Sequence, residues 1–314
     1  MSLDFPYAMA AIDLDGTLLG PDHQPTTANA AAVRGLVTEG VVCVVASGRM
    51  HEASAPYAEA LGLSGPVISY NGALVVDTCS GETWQHLPVS ADVSDEVVAF
   101  CATHCLHLNY YFGARVYVEK STPWGNLYHR HTGSPMEVVG DLRAFQGCTP
   151  TKLILVDSPE KIDELLPLFR DRFAGRAYVT KSNPEYLEFM HVAANKGDAL
   201  ALVAARLGIA RDHVAAFGDS DNDIPMLQWA GLGVAVGSPA PAVRCAAGLV
   251  VECPNNDSLA AAIAAIRASR GSRGKIDLGK SLQAVQTRPN RLLRDLPRLG
   301  RGQARGPDRR PLRG

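Results

Sequence analysis

Nowhere do the 314 residues gather the roughly 18 consecutive apolar side chains that cross a bilayer; the densest run, residues 41–46, is strand-sized. The opening residues carry no basic stretch leading into an apolar one, which speaks against an export signal and makes the cytoplasm the expected location. Cysteines number only seven and fall at irregular intervals, so free thiols in a reducing compartment are expected rather than a disulfide framework. Aromatic residues are scarce at 6%, and none is interleaved with the basic residues after position 270, which argues against a base-stacking nucleic-acid surface. What remains, 46% hydrophobic and 20% charged, is the composition of an ordinary globular protein with room for one large domain or two modest ones.

The net charge of −2 conceals an asymmetry. Residues 270–314 hold thirteen Lys or Arg against three Asp or Glu, a balance of +10, which leaves 17 basic and 29 acidic residues, −12, in the rest. This tail is Gly, Arg and Pro with little apolar periodicity, so it is expected to be disordered; contact with a polyanion is the sharper alternative.

The first ninety residues alternate strand and helix signals. Residues 8–14 and 41–46 are apolar runs of the kind that a parallel sheet buries on both faces, and residues 66–70 make a third. Thr26 or Thr27 can cap the intervening helix, with Gly40 as its stop. From about 87 to 190 the texture changes to helix, hairpin (108–112 and 115–119 around Gly113), strand, helix and two more strands. Helix-strand alternation resumes at Lys196. The expected fold is therefore α/β, a doubly wound Rossmann-like core from residues 1–87 and 191–269, with an inserted α+β cap at 88–190.

Two acidic turns each follow a buried strand. Asp13-Leu14-Asp15-Gly16-Thr17 places two carboxylates two residues apart, suited to a metal or to a nucleophile with an acid partner. A calcium loop would need Glu where Gln24 stands, and Leu14, Leu18 and Leu19 are too apolar for one. Gly218-Asp219-Ser220-Asp221-Asn222-Asp223 packs carboxylates that repel one another unless a cation or a lysine neutralises them. Ser47 and Lys196 fall within reach of the same sheet edge.

Four ordered signatures now carry a family resemblance: the two acidic turns, Ala46-Ser47-Gly48-Arg49, and Asn195-Lys196-Gly197. With Ser69-Tyr70-Asn71-Gly72-Ala73 and Gly233-Val234-Ala235-Val236-Gly237, the chain resembles a haloacid dehalogenase superfamily hydrolase of the Cof-like phosphatase branch, over residues 8–267. The resemblance implies Asp13 as nucleophile forming an aspartyl-phosphate, and Asp15 as the acid and base. It implies Thr17, Ser47, Gly48, Lys196 and Asn222 around the phosphate, with Lys196 offsetting charge on Asp13. Mg2+ would sit on Asp13, the Asp15 carbonyl and Asp219, with Asp223 orienting that shell or Lys196. The substrate would be a small phosphate ester: a sugar phosphate, pyridoxal phosphate or a flavin-precursor phosphate.

Other residues have plainer readings beside the functional one. Cys101, His104, Cys105 and His107 include metal-binding types, but helical spacing favours ordinary packing. Gly231, Gly233 and Gly237 with Glu252 mimic a dinucleotide fingerprint but miss its spacing and its strand-to-helix turn. Arg49 and His51 either touch substrate or form surface salt bridges. Trp124, Asn126, Asn183, Tyr186 and Glu188 are cap candidates for the substrate pocket. A phosphotransferase or phosphomutase using the same intermediate, and a non-catalytic polyanion-binding regulator, are the alternative functions. The oligomeric state is not legible.

Overall fold

A computed structural model describes residues 5–253 and 256–269; the basic tail expected beyond 270 lies outside them. The chain opens with β1 (Met9–Ile12), α1 (Thr27–Thr38), β2 (Val42–Ala46), α2 (His51–Ala60), β3 (Pro66–Ser69), β4 (Leu74–Asp77) and β5 (Thr83–His86). It continues through α3 (Ala91–His104), β6 (His107–Phe112), β7 (Arg115–Val118), α4 (Pro123–Thr132), β8 (Met136–Val138), β9 (Lys152–Val156), α5 (Pro159–Arg172), β10 (Ala177–Asn183) and β11 (Tyr186–His191). It closes with α6 (Lys196–Leu207), β12 (Val214–Gly218), α7 (Ile224–Trp229), β13 (Leu232–Val236), α8 (Pro241–Ala246), β14 (Leu249–Val251) and α9 (Ser258–Ser269).

These strands form two sheets. The eight-stranded sheet runs β14-β13-β12-β1-β2-β3-β4-β5, parallel through β3 and antiparallel at its β4–β5 edge. The short apolar runs explain it: Met9–Ile12 is wholly buried, and such strands need helices on both faces. Two hydrophobic clusters fill those faces. One holds Ile12, Val33, Leu36, Phe217 and Ile263, the other Val44, Leu200, Val203, Ala216 and Leu227. The fold is α/β, doubly wound, with the order of strands reversing at β1.

The six-stranded sheet, β10-β11-β9-β6-β7-β8, falls between β5 and β12 in the chain and has its own core around Tyr110, Leu155, Phe169 and Phe189. A fourth cluster joins the two layers, bringing Met50, Tyr70 and Ala73 of the first against Tyr111, Tyr128, Ile154 and Met190 of the second. A doubly wound sheet binds ligands beyond the carboxyl ends of its strands, at the reversal point. Here that point is the end of β1, and the second sheet covers it.

Candidate active site

The parallel register does the first part of the assembly. Ile12 pairs with Phe217, and the Asp13 amide donates to the Phe217 carbonyl at 3.0 Å. Residues leaving the two strands therefore emerge side by side, which carries Asp13 to Asp219 across more than two hundred positions of sequence. Gly16 completes the approach. Its φ is +82°, and a Cβ there would stand 2.3 Å from Oδ2 of Asp219, so only glycine leaves space for that carboxylate. Thr17 then donates from its hydroxyl to Oδ1 of Asp219 at 2.8 Å.

Lys196 comes from a third segment. Asn195 caps α6, accepting from the Asp198 amide, and so sets Lys196 in the first helical turn. A cation there opposes the helix dipole, and this one is also 0% exposed. Two carboxylates compensate: Nζ donates to Oδ1 of Asp13 and to Oδ1 of Asp223, both at 2.6 Å. Burial alone would lower the ammonium, but the charges of Asp13 and Asp223 outweigh it and hold it raised. Asp223 uses its other oxygen to accept from the amides of Asp219 and Ser220, each at 3.0 Å. Both its oxygens are engaged, so it positions Lys196 and the Asp219 turn.

Ligand oxygens of Asp13, Asp219 and Asp223 lie within 4.8 Å of one another, the one such group among the described residues. Burial first, then the charge of Asp223, pushes the Asp13 carboxyl well above its ordinary range, against the pull of Lys196. Asp219 is raised for the same two reasons, against hydrogen bonds from Thr17 and Ser220. Three carboxylates with one lysine leave the cluster two negative charges in excess when ionised. A hard divalent cation fits on three counts: the donors are oxygens, the charge matches, and the missing Cβ of Gly16 leaves the Asp219 carboxylate its place.

Asp15 sits apart from this buried core, half exposed. Arg49 grips both of its oxygens, Nε to Oδ2 at 2.7 Å and Nη2 to Oδ1 at 2.5 Å. The same guanidinium reaches His23 Nδ1 at 3.0 Å and the Tyr57 hydroxyl at 3.3 Å. Arg49 forms an ion pair with Asp15 and also lines the cavity between the sheets, so the ion pair and a contact to substrate are both open to it. His51 contacts Ser69 at 3.5 Å. Ser47 is buried and its Oγ accepts from the Arg49 amide, while Asn222 donates to Asn71 at 2.9 Å.

Between the sheets lies a cavity of about 600 Å3 whose lining includes Asp13, Asp15, Gly48, Arg49 and Asn222 from below. From the second sheet come Asn183, Tyr186 and Glu188, three of the cap candidates. Trp124 instead packs against the cluster between the layers, and Asn126 is absent from the lining. Thr17, Ser47, Lys196 and Asp219 are not in this lining; of the carboxylate–lysine cluster only Asp13 is. Cys101 is buried and Cys105 exposed at the left-handed end of α3; all seven cysteines are free. Gly231 and Gly233 flank and form β13, and Gly237, at a φ of +72°, opens the turn from β13 into α8, so a strand-to-helix turn does follow this segment although the glycine spacing is not that of a dinucleotide fingerprint.

Sequence reasoning missed Lys152, Tyr111, Tyr128 and His131, all on the cavity wall. Lys152 opens an otherwise apolar strand, and a lone cation in such a run was the available signal.

A family model described as haloacid dehalogenase-like hydrolase matches residues 10–263. The chain belongs to this family. Among its haloacid dehalogenase-like relatives, an HMP-PP phosphatase of Serratia proteamaculans is 30% identical over 247 residues, 76% of this chain and 86% of the relative. A 5-amino-6-(5-phospho-D-ribitylamino)uracil phosphatase of Bacillus subtilis is 26% identical, covering 81% and 95%. A haloacid dehalogenase-like hydrolase of Bacteroides thetaiotaomicron superposes with a TM-score of 0.77 at 26% identity, over 83% of this chain and 99% of that one. Among the described residues no helix is long and apolar enough to cross a membrane.

Proposed function

We propose that this hydrolase is a magnesium-dependent phosphatase of a small phosphorylated metabolite, working through an aspartyl-phosphate. The observation that carries the reading is the convergence of Asp219 and Lys196 on Asp13, which itself lines the covered cavity. The phosphatase names of the relatives support it.

In this reading Asp13 attacks phosphorus, and the bond to the ester oxygen breaks as the new bond to Asp13 forms. Asp15 gives its proton to the departing oxygen. Water then attacks the same phosphorus, Asp15 takes a proton from it, and the bond to Asp13 breaks, releasing inorganic phosphate. Lys196 offsets the charge that Asp13 brings toward an anionic substrate. Arg49 must release Asp15 before that carboxyl can serve, and a phosphoryl group entering beside it offers the guanidinium another partner. Thr17 and Ser47 act on the loops, fixing Asp219 and the Arg49 backbone. Asp13, Asp219 and the Asp15 carbonyl would hold Mg2+, which when bound supplies charge neutralisation between nucleophile and phosphate.

Residues 1–87 and 191–269 are read as the catalytic core and 88–190 as the cap that excludes solvent and selects substrate. Seven free thiols suit a reducing compartment such as the cytoplasm.

Phosphate release over a metabolite panel, with and without Mg2+, tests the reading. Wild-type protein should release phosphate only with the metal, and Asp13→Asn should release none while keeping its circular dichroism and melting behaviour. Turnover by folded Asp13→Asn at the wild-type rate would remove Asp13 as nucleophile.

A further inference from the structure

The loop joining β3 to β4 is under strain that a hairpin does not need. Ser69 pairs with Leu74, so four residues make the turn. Loops of that length are most often built on a type I turn, with negative φ at both central residues. Here Tyr70, Asn71 and Gly72 stand in succession at φ of +50°, +54° and +95°. For tyrosine and asparagine that region costs free energy that the surroundings must offset, and such strain gathers at functional sites. The proposed chemistry gives this turn no part.

The strained backbone brings the turn into contact with several parts of the site at once. The Tyr70 amide donates to the Arg49 carbonyl at 2.8 Å and the Asn71 amide to the Ser47 carbonyl at 3.0 Å, which ties down the loop after β2. Gly72 lies so close to the start of α6 that a Cβ there would overlap the Asn195 carbonyl, next to Lys196. The buried Asn71 side chain reaches the acidic turn after β12, where its Oδ1 accepts from Nδ2 of Asn222 at 2.9 Å. A Cβ on Gly48 would stand 2.8 Å from that oxygen, so glycine there leaves Asn71 its place. Nδ2 of Asn71 donates to the sulfur of Met190 on β11 at 3.7 Å. In the sheet β1 and β2 separate β3 from β12, so one hydrogen bond joins turns whose strands lie three spacings, about 14 Å, apart.

This bridge leaves one donor over. The Asn222 amide is planar and carries two Nδ2 protons. One is on Asn71; the other has no acceptor among the described residues, and Asn222 lines the same cavity as Asp13. With one proton pinned, the plane of the amide is set, and with it the direction of the second proton. A donor fixed before substrate arrives needs no reorganisation when charge develops on phosphoryl oxygens. An unpinned asparagine could turn its Oδ1 to the phosphate instead, and two acceptors facing each other repel.

Resting on the phosphatase reading, we propose that Asn71 is a positioning residue for phosphoryl transfer. It pins the Asn222 amide so that the second Nδ2 proton meets a phosphoryl oxygen, and the left-handed backbone at 70–72 is what carries Asn71 to that place. Because the phosphoryl group is common to every ester, Asn71 acts alike on substrates with different leaving groups.

The test reads the inhibition constant of orthovanadate, whose five-coordinate form resembles the phosphoryl group in transfer, together with kcat/KM for p-nitrophenyl phosphate, glucose 6-phosphate and glycerol 3-phosphate. An inhibition constant does not depend on how much of the enzyme is folded, so a merely structural role would not move it. Asn71→Gly removes the side chain and leaves a residue that takes a positive φ freely. It should raise the vanadate constant about 10-fold, the scale of one hydrogen bond, and lower kcat/KM by a similar factor for all three esters. Asn222→Ala should raise the constant at least as far, and adding Asn71→Gly to Asn222→Ala should change it no further, because the donor is already gone. Should Asn71→Gly fail to fold, Asn71→Ser, whose hydroxyl stops short of Asn222, is measured in the same way. A wild-type vanadate constant in the Asn71 variant, losses that multiply in the double variant, or a loss confined to one ester overturns the proposal while leaving a phosphatase. Release from no ester by the wild-type protein overturns the phosphatase reading and this inference with it.

Discussion

Gly16→Ala changes one methyl group and strikes the part of the site that brings distant carboxylates together. The new Cβ would stand 2.3 Å from Oδ2, 2.7 Å from Cγ and 2.8 Å from Oδ1 of Asp219. Ordinary van der Waals contact lies near 3.5 Å, so the carboxylate must retreat by about 1 Å. That retreat strains its 2.8 Å bond from Thr17 and carries it from Asp13. Displacements of that size at a reacting centre cost about 10²-fold in rate. The backbone contributes separately, since alanine at a φ of +82° costs about 1 kcal/mol. In a chain of this size, that lowers Tm by only about 2–4 °C. The two effects separate in a pair of assays: melting, and phosphate release titrated with Mg2+. The expected variant is folded, slightly less stable, about 10²-fold slower, and in need of more metal. Wild-type turnover at the wild-type metal requirement would refute the claim that Gly16 makes room for Asp219.

Two further outcomes follow from buried groups. Lys196→Met leaves Asp13 and Asp223 without their shared cation and should destabilise the metal-free protein by about 3–5 kcal/mol, measured by denaturant unfolding; a variant as stable as wild type would deny that the lysine compensates those charges. Among the thiols, Cys79, Cys105 and Cys245 should react with a thiol reagent at neutral pH while Cys43 and Cys101 stay protected, since burial raises both and carries Cys43 from 9.0 to about 12. Cys43 is raised in the folded state, so above about pH 9 the unfolded chain loses a proton that the folded chain keeps. Its contribution to stability should therefore fall as pH climbs toward 12, and prompt labelling of folded Cys43 at neutral pH would contradict its burial.

The α/β fold was legible because its central strands are short, continuous and apolar, a pattern that requires cover on both faces. Residues 8–14 and 41–46 contain β1 and β2, and the 108–119 hairpin is β6 and β7. Two elements had no such signal. The β4–β5 hairpin ends in Thr-Trp-Gln-His, where polar and apolar residues mix, and it forms because β3 offers an edge for antiparallel pairing. The α4 segment, Pro-Trp-Gly-Asn-Leu-Tyr-His-Arg-His-Thr, has weak helix formers and is held by its Thr122 cap and by the burial of Tyr128.

At the site, short motifs marked Asp13, Asp219 and Lys196 because each stands at the end of a strand or the start of a helix, where topology alone decides proximity. The partner of Arg49 was not legible, since 34 positions separate it from Asp15 and only the β1–β2 register brings them together. Lys152 was hidden for the opposite reason. It has no motif, and its meaning depends on Glu188, 36 positions away, being brought near it by the pairing of β9 with β11.

The most direct test of the central claim is a crystal structure grown with Mn2+ in place of Mg2+, so that anomalous scattering identifies the ion. The account predicts one strong peak between strands β1 and β12, with a carboxylate oxygen of Asp13 and another of Asp219 at about 2.2 Å and no ligand from Lys152 or Glu188. A peak that touches only one of Asp13 and Asp219, or an ion found elsewhere with that pair left apart, would contradict it.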